Sequence, residues 1–223
     1  MIEKSGARNL FVLTIGMAAA FSGAPLVALT GGLIGSDLSP SAALATLPIG
    51  TFVVGMAAAS FPAAMVMRRM GRRRGFALGA AIAALACGLA VEAISSADFA
   101  LFCIATLLIG GNLAFVQQYR FAAVESVAER HAPRAVSIVL TAGIVSGILG
   151  PELAWQTRDW LGTPFGASFI VLGALYVAVT LLMLLGLRDT PAAITPSVPG
   201  GDGLRAIVAR PAFRLALVSG MVA

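Results

Sequence analysis

Three long stretches without a charged side chain constrain this chain more than any other feature. No Asp, Glu, Lys or Arg occurs in the 28 residues between Arg8 and Asp37, the 30 between Asp37 and Arg68, or the 28 between Asp159 and Arg188. A helix needs about 20 apolar residues to cross the hydrocarbon core of a bilayer, so each stretch holds a full span. Three shorter uncharged runs add three more spans: 75–91, 99–119 and 135–151.

These spans are helices rather than strands of a barrel. In hydrocarbon every backbone N–H and C=O needs a partner within the protein, which leaves only helices and closed barrels. Barrel strands alternate apolar and polar residues over about ten positions, whereas these runs are apolar throughout. The sequence therefore predicts an all-α membrane protein built as a bundle of six transmembrane helices. We place the spans at 10–34, 43–67, 75–94, 99–124, 135–156 and 164–187.

The composition changes after the sixth span. Residues 1–187 form the predicted bundle, and the Pro- and Gly-rich residues 188–210 predict a flexible cytoplasmic linker. Residues 211–223 begin another apolar segment that is too short to cross a bilayer, so they predict a partial seventh helix. We expect the chain to be a fragment of a longer protein, with a genuine half-size protein as the alternative.

The basic residues indicate which side of the membrane each loop occupies. Threading six spans puts thirteen of the fifteen basic residues on the side of the N-terminus, including all five arginines of 68–74. Basic residues in short loops stay on the cytoplasmic side, so we predict a cytoplasmic N-terminus in a bacterial inner membrane. No aromatic side chain interleaves the five arginines, and the stacking platform that single-stranded nucleic acid needs is therefore missing. We expect a lipid bilayer as partner and no nucleic acid.

The basic turn carries a family resemblance. The stretch "MRRMGRRRGF" at 67–76 resembles the loop signature between the second and third spans of the Major Facilitator Superfamily, roughly G-x-L-A-D-R-x-G-R-R, and six spans followed by a linker resemble that family's N-terminal half. Ala64 replaces the usual Gly and Arg68 the usual Asp, which implies a changed latch between the two halves. The matching residues are Arg69, Gly71, Arg72 and Arg73.

The fifth span carries a second resemblance. In "SGILGPELA", Gly150 and Pro151 match the superfamily's antiporter signature, similar to G-x-x-x-G-P-x-x-G-G, and Ser146 stands for its first Gly. We interpret this stretch as a helix-packing and bending element. Three glycine pairs at four-residue spacing also predict close helix packing, because lipid tails give helices no hydrophobic reason to associate. They are Gly31/Gly35, Gly75/Gly79 and Gly143/Gly147.

The fourth span holds the candidate substrate site. An Arg within a span costs about 2.5–3.5 kcal/mol at the helix centre, so Arg120 should face a wet cavity or a partner. On one continuous helix Asn112 and Tyr119 nearly superimpose, and Gln117 and Arg120 extend the same arc. We predict that these four residues bind a small-molecule substrate, with Arg120 on an anionic group. In the alternative, Arg120 lies near the cytoplasmic surface and pairs with a glutamate, either Glu125 or Glu129.

Glu152 in the fifth span is a candidate for proton coupling, because a partly buried carboxylate can carry a proton. The alternative is a glutamate at the outer membrane surface. The sequence has no P-loop, metal-ligand set or Ser/His/Asp arrangement, so we predict no enzyme, no cofactor and no metal. The resemblance implies a secondary transporter with alternating access that moves a small organic solute, with protons as the candidate coupling ion. Its expected partner is a missing C-terminal half or a second copy. A half-size membrane protein that acts by dimerisation stays open as the rival function.

Overall fold

The computed structural model describes residues 4–188. The predicted linker beyond Arg188 and the predicted seventh helix at 211–223 lie outside these residues. Within them the chain forms only helices, and five continuous segments are long and apolar enough to cross a membrane. Two single turns of 3-10 helix lie at 42–44 and 129–131. The α-helices are α1 Lys4–Phe21, α2 Gly23–Leu38, α3 Leu47–Ser95, α4 Phe99–Val116, α5 Tyr119–Glu125, α6 Ala132–Gln156 and α7 Gly166–Gly186.

The long helix α3 contains two spans that reverse direction at Gly71. Gly71 has φ 83° and ψ 167°, a conformation outside the helical region. Across it, Gly75 packs on Met67, although a straight helix would hold residues eight apart at about 12 Å. The two halves also run in opposite directions along the fourth span. In the first half the contacts advance together along both chains, from Thr51–Thr106 to Ala59–Gly111. In the second half they advance in opposite directions, from Phe76–Tyr119 to Gly79–Phe115. Residues 43–67 and 75–94 are therefore two spans, as predicted.

Two of the predicted spans are bent. The first is divided into α1 and α2 at Ser22, because Pro25 has no N–H to donate to the carbonyl of Phe21. The fourth is divided into α4 and α5 at Gln117 and Gln118. Counting each bent pair as one span and α3 as two, residues 4–188 contain six spans. The prediction of an all-α, six-helix membrane bundle is confirmed.

Polar contacts bring the arginine-bearing turns and the start of α1 to one end of the bundle. The Asn9 side chain donates to the backbone carbonyl of Arg188 and accepts from its N–H, both at 3.0 Å. Asn9 Nδ2 also lies 3.5 Å from Ser126 Oγ. Next to Ser126, Glu125 pairs with Arg72 of the basic turn. The beginning of the first span and the ends of the second, fourth and sixth therefore lie together, as the threading predicted.

Glycines set the distance between the first half of α3 and α4. A methyl group on Gly55 would overlap the carbonyl of Leu107, and one on Gly110 would overlap the carbonyl of Phe52. This backbone-to-backbone contact is the packing that helices in lipid use instead of hydrophobic burial. Of the predicted glycine pairs, Gly31/Gly35 and Gly75/Gly79 are closely packed. The prediction was wrong for Gly147, which has open space where its side chain would lie.

We expect Gly71→Ala to destabilise the bundle, because φ near +80° with an extended ψ is accessible essentially only to glycine. Strain of this kind costs about 1–3 kcal/mol, and relieving it would shift one span of α3 against the other. Thermal unfolding in detergent should show a lower midpoint than the unsubstituted protein. Gly50→Ala is the matched control, since Gly50 lies in a helical part of α3 with open space around it. Equal midpoints for the two variants would contradict the strained reversal.

Candidate functional site

The break between α4 and α5 separates the four residues predicted for the substrate site. Asn112 is on α4 and is buried, with 3% of its surface exposed. Tyr119 begins α5 and is buried against Phe76, with ring centroids 4.5 Å apart. Arg120 is exposed and lies over the ring of Phe121 at 5.0 Å, and Gln117 is half-buried. The single arc expected of one continuous helix is therefore not formed.

Asn112 lies inside the bundle, beside the Tyr176 hydroxyl of α7. Within residues 4–188 neither its Oδ1 nor its Nδ2 has a hydrogen-bond partner. Tyr176 donates to the carbonyl of Ala20 at 3.4 Å, and its hydroxyl fills the space next to Gly23. Tyr176 thus lies at the break between α1 and α2, and Asn112 is buried beside it, whereas Arg120 is exposed.

Arg120 follows Tyr119 on α5 and precedes Ser126, which lies at the arginine-bearing end of the bundle, by six residues. A methyl group on Gly16 would come within 3.2 Å of the Tyr119 ring, whereas Asn9 contacts Ser126. Seven residues separate these levels on both helices, which is about 10 Å at 1.5 Å per residue. Neither alternative pairing of Arg120, with Glu125 or with Glu129, is present among the described residues, and both carboxylate oxygens of Glu125 bind Arg72. An exposed guanidinium at this depth requires water or a partner next to it.

A groove of about 400 Å³ lies between α1 and α6 at the same depth. Its depth along the helices follows from a contact between Met17 of α1 and Gly143 of α6. The Met17 methyl lies 4.0 Å from the position that a β-carbon on Gly143 would take. Two threonines lie in an otherwise apolar wall, and each donates its hydroxyl proton to a carbonyl of its own helix, at 2.7 and 2.8 Å. Their oxygens can therefore only accept hydrogen bonds from a molecule in the groove. The lining residues are Thr14, Ile15, Ala18, Ile138, Thr141, Ala142 and Val145.

The basic turn is tied to the fourth span by a two-point ion pair. Arg72 Nη2 lies 2.6 Å from Glu125 Oε1, and its Nε lies 3.1 Å from Oε2. Such paired charge-assisted bonds fix geometry as well as charge. Arg72 thus binds another span, while Arg69 is exposed and Arg73 is half-buried. In the sequence, Glu125 was considered only as an alternative partner of Arg120.

Gly150 and Pro151 lie where α6 crosses the bend of the first span. A methyl group on Gly150 would overlap the carbonyl of Ser22 and come within 2.7 Å of the Pro25 ring. Pro151 lies inside α6, where it removes one backbone hydrogen bond. The predicted packing element therefore brings α6 into contact with the α1–α2 break.

Gly150→Ala should reduce transport and lower the unfolding midpoint, because the added methyl has to displace the backbone of Ser22. Overpacking of this kind costs about 1–3 kcal/mol. Gly147→Ala, one turn earlier on α6 and facing open space, should leave transport unchanged and should not lower the unfolding midpoint, because alanine is favoured over glycine inside a helix. We would measure solute uptake and thermal unfolding of each variant in the full-length protein. A Gly150→Ala protein that behaves like the Gly147→Ala protein would exclude the contact.

Glu152 is exposed on α6 and accepts a hydrogen bond of 2.7 Å from Gln156. Its role in proton coupling stays a prediction. Among residues 4–188 no group of three His, Cys, Asp or Glu side chains is placed to hold a metal ion. Sequence reasoning missed Asn9, whose only signal was an amide at the start of an apolar span.

A comparison with known families agrees with this architecture. The profile described as Major Facilitator Superfamily matches residues 10–223. The chain belongs to the Major Facilitator Superfamily. It is therefore an integral membrane protein of a transporter family, as its resemblance implied.

Three bacterial relatives are similar to this family member. It is 38% identical over 219 residues to the riboflavin transporter RfnT of Brucella anthropi, covering 96% of this chain and 54% of the relative. It is 30% identical over 202 residues to the uncharacterized MFS-type transporter YdeG of Bacillus subtilis, covering 87% and 46%. For YddS of the same species, also an uncharacterized MFS-type transporter, the identity is 28% over 189 residues, covering 82% and 43%. The chain thus spans about half the length of these relatives, and no solved structure matches it.

Proposed function

We propose that this chain is the N-terminal half of a secondary transporter that moves a small organic solute by alternating access. The observation that carries the proposal is Arg120, an exposed arginine whose backbone lies about 9 Å along the span from the Asn9–Ser126 contact. In a transporter built of two halves, the solute site lies near the membrane midplane where the halves meet. A water-filled path along this face would solvate Arg120, whereas lipid would not.

We infer that the groove between α1 and α6 forms part of the solute site. Thr14 and Thr141 offer acceptors, since their own protons are committed to their helices. Arg120, at the same depth, offers donors to a carbonyl oxygen or an anionic group. A solute with an apolar body, hydrogen-bond donors and an acceptor group matches this lining. When the halves rock, such a solute would be exposed first on one side of the membrane and then on the other.

Riboflavin is the first solute to test. The 38% identical relative is named a riboflavin transporter, and riboflavin combines a planar ring with hydroxyl and N–H donors and carbonyl acceptors. The groove lining supports a solute of this class without selecting riboflavin from others. Glu152 and a proton gradient belong to the same proposal as the candidate coupling group and driving force.

Uptake by the full-length protein in proteoliposomes tests this function. We expect riboflavin, or another solute from a panel of planar and hydroxylated compounds, to enter faster than into protein-free vesicles. Repeating the assay with and without a proton gradient tests the coupling. If no solute enters above the protein-free rate while the protein is monodisperse and correctly inserted, the transporter proposal is wrong and a role through dimerisation becomes the better hypothesis.

We also propose that the arginine-bearing end lies in the cytoplasm and that the protein resides in the bacterial inner membrane. The excess of basic residues at that end supports this orientation. Reporters fused after residues 70 and 130 should be active as cytoplasmic fusions, and reporters after residues 40 and 160 as external ones. The reverse pattern would overturn the orientation and leave the helix bundle unaffected.

A further inference from the structure

The outward face of residues 47–70 is apolar along its length and ends on an arginine. Ala57, Phe61, Ala64 and Arg68 follow at intervals of three and four residues, so they share one face of the helix. All four are exposed, Phe61 to 73%. Phe61, Ala64, Met65 and Arg68 line a groove of about 180 Å³. The groove is therefore apolar on its walls and cationic at the end that lies beside the basic turn.

Arg68 has no partner within the part of the chain that the structure describes. It makes no hydrogen bond, ion pair or ring contact there. Of the two acids that follow α4 at this end, Glu125 has both carboxylate oxygens on Arg72, and Glu129 pairs with no arginine among the described residues. Any helix that covers the groove would strip water from the guanidinium of Arg68. The desolvation of an unpaired charge costs several kcal/mol, so the covering element must bring a negative group with it.

Two observations indicate what covers the groove. The chain spans only 54%, 46% and 43% of three relatives, so proteins of this kind contain about as much sequence again. The alanines at 57 and 64 leave the helix surface flat enough for another helix to approach closely, which is how helices associate in lipid. A membrane-spanning helix of the remaining sequence fits both.

We propose that a membrane-spanning helix from the second half of the full-length protein packs along Ala57, Phe61 and Ala64 and carries an Asp or Glu opposite Arg68. This inference rests on the proposed function only in requiring a second half. Arg68 stands where the motif it resembles has Asp, so this half contributes a base where that motif has an acid. The ion pair holds the two halves together at the arginine-bearing end.

Charge reversal in the full-length protein tests the pairing. We expect Arg68→Asp to lower uptake at least tenfold, which corresponds to about 1.4 kcal/mol. Changing the facing acid to Lys in the same protein should restore uptake. Arg74→Asp is the matched control, because Arg74 is exposed in the same turn and does not line the groove. Full uptake by Arg68→Asp, or no rescue by Lys at any acid of the second half, would refute the pairing.

A photoreactive residue at position 64 identifies the occupant directly and needs no transport activity. We expect adducts with a peptide beyond residue 223 that has Asp or Glu within one helical turn of the crosslink. The same probe at Leu85, which is 74% exposed in the other half of α3, should give phospholipid adducts. Phospholipid adducts alone at position 64, or a peptide without an acid, would overturn the inference. A correct peptide adduct in a protein that transports nothing would instead refute the proposed function.

Discussion

Arg120→Ala in the full-length protein is expected to reduce solute uptake by about 10- to 100-fold while membrane insertion and yield stay unchanged. A hydrogen bond to a charged group contributes about 1.5–3 kcal/mol, and each 1.4 kcal/mol is a factor of ten in binding. Because Arg120 is exposed and packs only on Phe121 among the described residues, its truncation leaves the bundle core intact. The measurement is initial uptake into proteoliposomes at several solute concentrations.

The matched control for Arg120 is Arg134→Ala. Arg134 is also an exposed arginine, but it lies in the first turn of α6, at the arginine-bearing end of the bundle. We expect solute uptake by the Arg134→Ala protein to stay within twofold of uptake by the unsubstituted protein. Arg120→Lys adds a second test, because it keeps the charge but loses the two-point donor geometry of a guanidinium. Unchanged uptake by Arg120→Ala would remove Arg120 from the solute site.

Gly110→Ala is expected to cause a clear loss of stability. The new methyl would overlap the carbonyl of Phe52, which is backbone and cannot rotate away. We expect a loss of about 1–3 kcal/mol from overpacking and a clear fall in the fraction of monodisperse protein after extraction. Thermal unfolding in detergent and size-exclusion chromatography measure the two effects.

Gly88→Ala provides a control with the opposite sign. Gly88 lies inside α3 with nothing within 4 Å of where a side chain would start. Replacing an open helical glycine with alanine reduces the entropy of the unfolded chain and stabilises by about 0.5–1 kcal/mol. If Gly110→Ala proves as stable as Gly88→Ala, the close contact between α4 and the first half of α3 does not exist in the protein.

The spans could be predicted from the sequence because each depends on a local property. An uncharged stretch such as the one between Asp159 and Arg188 satisfies the length of a bilayer by itself. The reversal at Gly71 could also be predicted from the sequence, because a glycine beside a run of arginines interrupts the apolar pattern. Pro25 contained the signal for the bend in the first span. The break at Gln117 and Gln118 had no such signal, since neither residue is a helix breaker like Pro or Gly.

The candidate site was harder to predict, because it depends on contacts between distant residues. Asn9 and Arg188 are 179 positions apart, and Arg72 and Glu125 are 53 apart. Arg120 was singled out by its position within an apolar span and stays a prediction, and its arc with Asn112 assumed one straight helix. The groove between α1 and α6 was invisible in the sequence, because its lining is mostly apolar side chains that resemble those facing lipid.

The central claim is that the face carrying Arg120 and the α1–α6 groove is a solute path and does not face lipid. In a full-length protein with Cys87 and Cys103 replaced, a single cysteine at Thr141 should react with a membrane-impermeant thiol reagent, and transported solute should slow the reaction. A cysteine at Leu181, which is exposed on α7 near the same depth, should not react. No reaction at position 141, or equal reaction at 141 and 181, would contradict the account.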